Sequence, residues 1–153
     1  MMQQPGSSNT STRVRHAGIV VSNMSEALGF YRDVLGLEIV VDGIEEGAYF
    51  ERLVGLPNAK ARIVKLCDGS GGMVELLEYN APARPTASQP TANRIGCSHV
   101  AFTVTSLREI ADRILRAGYS LNSEPLLSPD GNVTVVYCHG PDGTLVELVE
   151  PLS

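Results

Sequence analysis

The sequence predicts an α+β fold made of two tandem βαβββ modules. Three observations predict it. His16 lies over His99, 83 residues further on, and the segments that follow match in pattern. The same offset relates two amphipathic-helix stripes. Each copy closes on a Val-Glu-Leu-x-Glu strand, at 74–78 and at 146–150.

The first copy opens as His16-Ala-Gly-Ile-Val-Val-Ser-Asn23 and the second as His99-Val-Ala-Phe-Thr-Val-Thr-Ser106. Both read as a histidine starting a short β-rich run that ends on a helix-capping residue. Glu26 follows Asn23 and Glu109 follows Ser106 at the spacing of a capping box. Apolar or aromatic residues then fall at 24, 27, 28 and 31, and at 107, 110, 111 and 114, which is one face of a helix. Gly36 and Gly118 supply the left-handed residue that ends each helix. Strands should resume near 37–41 and 119–121, with middle strands near 48–50 and 61–66 in the first copy and 133–138 in the second. An Asp-Gly turn, Asp68-Gly69 or Asp142-Gly143, precedes each closing strand.

The domain reading is therefore an N-terminal arm at 1–12, a first module at 13–79, a proline-rich linker at 80–95 and a second module at 96–153. The arm is polar, has no apolar signal core, and reads as disordered. At 153 residues, 43% hydrophobic and 19% charged, the chain fits one ordinary domain. A net charge of −5 without a Lys/Arg cluster, few aromatics and no Trp argue against a nucleic-acid partner. The short apolar runs argue against a membrane span. Cys67, Cys97 and Cys138 are odd in number and lack CxxC spacing, which points to reduced thiols and a cytoplasmic location. Cys97 stands two residues from His99.

A carboxylate on the inward face of a strand is costly unless it is paired or bound. Glu75 and Glu147 sit at matched places, and a histidine opens each copy. Alternation puts Glu75 and Glu147 opposite Leu76 and Leu148, with Glu78 and Glu150 read as sharing the parity of the first pair and as the ones that could face solvent instead. One His and one Glu per module, related by a pseudo-twofold axis, give four ligands round one point: His16, Glu75, His99 and Glu147. Imidazole with carboxylate suits one divalent ion, whether Zn, Ni, Co, Mn, Mg or Fe.

The motifs His16-Ala-Gly-Ile-Val-Val, Phe30-Tyr31-Arg32-Asp33-Val34-Leu35-Gly36-Leu37, Val74-Glu75-Leu76-Leu77-Glu78, Ser98-His99-Val100-Ala101-Phe102 and Pro141-Asp142-Gly143-Thr144-Leu145-Val146-Glu147-Leu148 resemble the vicinal oxygen chelate superfamily. That superfamily includes glyoxalase I, methylmalonyl-CoA epimerase, extradiol dioxygenases and the fosfomycin and bleomycin resistance proteins. The resemblance covers about residues 13–151. It implies a curved, partly open eight-stranded sheet around a metal site, with His16, Glu75, His99 and Glu147 at the ligand positions. It implies a metal acting as a Lewis acid that stabilises an enediolate or enolate. It gives Glu147 the proton-transfer role, with Glu75 as pseudosymmetric partner, and it implies a homodimer and a small-molecule substrate.

Within that superfamily, a set of two His and two Glu favours the glyoxalase or epimerase branch, a lyase or isomerase. A fourth protein ligand, Glu75, would block a position that an Fe(II) extradiol dioxygenase keeps open for catechol and oxygen. The alternatives are such a dioxygenase and a small-molecule binding or resistance protein of the same fold. Arg13, Arg15 and Arg94 are the arginines available for a substrate carboxylate. Glu45 or Glu46 stands where the epimerase carries a second catalytic Glu, against a reading as a solvated acidic hairpin, and His139 reads as a turn residue.

Overall fold

The computed structural model describes residues 12–83 and 90–152. The expected N-terminal arm lies outside them except for its last residue, as does the middle of the expected linker, residues 84–89.

The first half runs β1 (Ala17–Val20), α1 (Met24–Leu28), β2 (Glu38–Glu46), α2 (Ala48–Val54), β3 (Lys60–Cys67) and β4 (Met73–Ala81). The second runs β5 (His99–Thr103), α3 (Leu107–Arg116), β6 (Ser120–Leu121), β7 (Leu126–Leu127), β8 (Val133–His139) and β9 (Leu145–Pro151). Each half follows the βαβββ plan, with α2 added between β2 and β3 in the first and the short extra strand β7 in the second, so the architecture is α+β. The strands do not form the single eight-stranded sheet expected. They form two sheets, one ordered β1-β4-β3-β2 and one ordered β5-β9-β8-β6, with β7 beside β8. In both, the first strand is parallel to the last and the remaining pairs are antiparallel. Among the described residues no helix is long and apolar enough to cross a membrane.

The helix stripes lie where the periodicity places them. Met24, Ala27, Leu28 and Tyr31 are buried, as are Leu107, Ala111 and Ile114. The first helix widens into a π-helical stretch at Gly29–Val34 before Gly36 turns the chain at φ +81°. The two helices begin differently. The Asn23 side chain accepts a hydrogen bond from the Glu26 backbone N–H, as a capping residue should. Ser106 does not cap its helix through its side chain.

The second carboxylate of each closing strand serves both helix starts. Glu78 accepts from the Met24 N–H at 3.2 Å and Glu150 from the Leu107 N–H at 3.2 Å. Glu78 and Glu150 therefore do not share a face with Glu75 and Glu147. A spacing of three along a strand reverses the face. Each carboxylate also lies at the positive end of its helix dipole. Glu150→Ala should lower stability by about 0.5–2 kcal/mol, the usual cost of a lost N-terminal cap. A urea midpoint at fixed protein concentration would measure it, and an unchanged midpoint would remove the capping role.

The segment near 48–50 is not a strand. It opens α2, which starts at Gly47 and ends on Gly55 in the left-handed region at φ +71°. Three residues are too few to show a helical period. Phe50 and Val54, one turn apart, pack with Ala59, Ala61, Ile63 and Tyr79, and the Phe50 and Tyr79 rings stack with centroids 6.1 Å apart.

One core joins the modules. Ile19, Val64, Leu66, Val74 and Leu76 from the first sheet share it with Val136, Cys138, Val146 and Leu148 from the second, and both helices lie between. Burial pushes the Cys138 thiol up to about 11, so it behaves as a small apolar group. Phe30 is fully buried at the seam, edge-on to Tyr31 and Tyr119. Its ring lies so near Gly140 that a Cβ there would stand 3.2 Å from it. Asp142 of the second module accepts hydrogen bonds from the backbone N–H and the hydroxyl of Ser22 in the first.

Candidate metal centre

The face of each sheet that does not meet the helices is open, and the candidate ligands are on it. In the first sheet, the β3–β4 register pairs Lys65 with Glu75 and Ile63 with Leu77, while Val64 and Leu66 point with Leu76 and Val74 into the core. In the second, Tyr137 pairs with Glu147 and Val135 with Val149, while Val136 and Cys138 point inward with Leu148 and Val146. Helix α2 walls one end of the first open face.

The structure brings the four expected ligands together two by two. His16 Nε2 stands 3.6 Å from Glu75 Oε1, and His99 Nε2 stands 3.1 Å from Glu147 Oε2. Donors each about 2.1 Å from one metal lie about 3.0–3.4 Å apart in tetrahedral or cis octahedral geometry. The second pair matches that separation, and the first is slightly wider. His16 Nδ1 is buried without a partner among the described residues, which leaves Nε2, on the Glu75 side, to reach a ligand. Within one chain the two pairs stay apart. No group of three or more His, Cys, Asp or Glu side chains converges among the described residues. The donor types, imidazole and carboxylate, fit a divalent ion, and each pair offers two of them.

Two neighbours of these pairs are not visible from sequence spacing alone. Lys65 Nζ lies 3.3 Å from Glu75 Oε2. Tyr137 donates its hydroxyl to Glu147 Oε2 at 3.1 Å, stands 3.4 Å from His99 Nε2, and packs its ring edge-on to the imidazole. Burial, and then the Glu147 hydrogen bond, raise the Tyr137 phenol above its ordinary value, so it remains a donor. Lys65 and Tyr137 hold equivalent places, each ten residues before its glutamate. Superposing the closing strands instead of the opening histidines would have exposed them, because that part of the repeat runs at an offset of 72 rather than 83.

His139 ends β8 with both ring nitrogens engaged, Nε2 with Asn122 Oδ1 at 2.9 Å and Nδ1 with the Gly143 carbonyl at 3.3 Å, so it braces a turn. Glu45 and Glu46 lie within β2, exposed, and Glu46 pairs with Lys60 at 2.7 Å. Cys97 is exposed, its sulfur 3.7 Å from the His99 carbonyl oxygen.

Residues 13–148 match the sequence model of the Glyoxalase/Bleomycin resistance protein/Dioxygenase superfamily. The chain belongs to this superfamily. Among its relatives, the virulence protein STM3117 of Salmonella typhimurium is 28% identical over 139 residues, 89% of this chain and 82% of that protein. A glyoxalase family protein from Bacillus cereus superposes with a TM-score of 0.88 at 24% identity, covering 97% of this chain and 100% of its own. The fosfomycin resistance protein FosX of Listeria monocytogenes, solved with Mn(II) and sulfate, superposes with a TM-score of 0.61 at 16% identity, covering 94% and 95%. The two superpositions show a shared fold.

Proposed function

We propose that this member of the glyoxalase superfamily is a divalent-metal-dependent enzyme of the glyoxalase or epimerase type. It moves a proton next to a carbonyl at a site shared by two protomers. His16 and Glu75 of one protomer join the partner subunit's His99 and Glu147. The observation that carries this reading is the pair of matched His/Glu half-sites, each on an open sheet face and apart within the chain.

The surroundings support a homodimer. Val20 and Val41 on the open face of the first sheet are 53% and 46% exposed. All nine residues of the edge strand β2 are exposed, an uncovered edge of the kind a second chain can cap.

A bound divalent ion would supply Lewis-acid stabilisation of the charge that develops on a carbonyl oxygen as the neighbouring proton leaves. The chain's residues do the rest. Glu147 Oε2 is held by Tyr137 beside His99, while Oε1 carries no hydrogen bond among the described residues and is free to take the proton. Glu75 faces it from the pseudosymmetric position. The apolar open faces around them exclude water once two chains meet.

Protein loaded with Co2+ should wash solvent deuterium into at least one of a panel of α-hydroxy ketones, α-oxo aldehyde hemithioacetals and acyl thioesters, followed by mass spectrometry. Glu147→Gln should slow the exchange about 10²–10⁴-fold, the usual contribution of a positioned base. Full exchange in that variant would remove Glu147 from the role. Protein that binds no divalent metal and retains a ligand unchanged in EDTA would instead be a sequestering protein. Oxygen consumption on catechols with Fe(II) would make it a dioxygenase.

A further inference from the structure

We propose that Lys65 is the specificity-determining residue of this site, and that it recognises a small oxyanion, a carboxylate or a phosphoryl group, on the substrate. The assignment rests on the metal-site reading above and names the substrate class.

Apart from Lys60 at the bulged strand end, Lys65 is the only Lys or Arg that the strand ladders place on the open face of either sheet among the described residues. Arg62, on the opposite face of β3, is committed to Asp42 through two hydrogen bonds, and Lys60 at the strand end is paired with Glu46. The neighbours of Lys65 on its own face, besides Glu75, are mostly apolar: Val41 across the ladder, Ile63 and Cys67 along the strand, and Leu77 and Met73 diagonally on β4, with Glu38 opposite Cys67 on the exposed edge strand. It is about one-third exposed, at 30%. An ammonium on an apolar wall needs an anionic partner.

Within the chain that partner is Glu75. A divalent ion held by His16 and Glu75 draws on the same carboxylate and leaves the ammonium without its counter-charge. The equivalent position in the other module holds neutral Tyr137, which leaves its glutamate's charge intact. The assembled site is thus asymmetric, with one fixed positive charge beside the Glu75 half. A substrate that places an oxyanion there restores the balance that metal binding removes. Its anionic group would sit adjacent to the reacting carbonyl, which favours small substituted acids over neutral aldehydes. Lys65 acts by holding substrate, and its charge-assisted hydrogen bonds are of the stronger kind.

Calorimetric titration of lactate and of inorganic phosphate into Co2+-loaded dimer tests this and separates the two sources of oxyanion. Wild-type protein should bind at least one. Lys65→Met should weaken that binding about tenfold or more with Co2+ content unchanged, and Lys65→Arg should restore most of it. A second arm needs no metal. In EDTA, Glu75→Gln frees the ammonium and should bind the anion more tightly than wild-type, and adding Lys65→Met should abolish the gain. Anion binding that ignores Lys65 in both arms, or no anion binding in either, overturns the proposal and leaves the metal reading standing. Failure of the wild-type protein to take up Co2+ overturns the metal reading, and the EDTA arm still decides the role of Lys65.

Discussion

Two inactive versions of this chain should rebuild one working metal site when they meet in a dimer. One version carries His16→Ala and Glu75→Gln, the other His99→Ala and Glu147→Gln. In either homodimer, every shared site keeps two of its four ligands. In the heterodimer, the intact His16/Glu75 half of one chain meets the intact His99/Glu147 half of the other, and the second site has no ligand left. Co-expressed with different tags and purified through both, the heterodimer should retain about one tightly held Co2+ per dimer. Wild-type should retain about two, and the homodimers close to none. The measurement is metal content after dialysis against a weak chelator. The contrast is large because loss of two ligands from four removes the chelate arrangement itself. If all four ligands met inside a single chain, the heterodimer would hold no more metal than its parents. The geometry argues for sharing, since the half-sites measure 3.6 Å and 3.1 Å internally but do not converge with each other.

The second large effect is on stability. Phe30→Ala should cost about 3–5 kcal/mol, the range for removing a buried aromatic ring. For a chain of this size that lowers the melting temperature by on the order of 10 °C. Phe30 is 0% exposed, lies edge-on to rings of both modules, and presses on the Gly140 backbone. Truncation leaves a void at the seam, and relaxation there would have to move two sheets. Tyr49→Ala makes a suitable control. It is 75% exposed, and its change should stay within about 0.5 kcal/mol. Melting curves at one protein concentration would compare them, because the stability of the proposed dimer would depend on concentration. A Phe30 variant as stable as the Tyr49 variant would mean that the seam contributes little.

The helices were legible from local rules. Apolar stripes at 24–31 and 107–114 marked the buried faces, and Gly36 and Gly118 marked the ends. The Asn23 cap was legible because capping is a contact three residues long. At Ser106 the side chain makes no cap bond, and Glu150, 44 residues away, accepts from the helix start, a contact that short-range spacing does not report. Helix α2 was illegible as a helix because so short a stretch was read without its continuation to Gly55. Lys65 and Tyr137 were missed for a different reason. A ladder partner ten residues away is fixed by hairpin register, which composition and periodicity do not report.

The sequence by itself determined the repeat, the module order, and the residues that open and close each copy. Those properties follow from short-range periodicity and from duplication. Only the tertiary structure decided how the copies are arranged. Period-two alternation says that Glu75 and Leu76 point opposite ways, but not which way is inward. The helices decide that by covering one face of each sheet and leaving the other open. They also hold the two sheets apart within a chain, so His16 with Glu75 and His99 with Glu147 stand as separate halves. Lys65 lies on one of them and Tyr137 on the other.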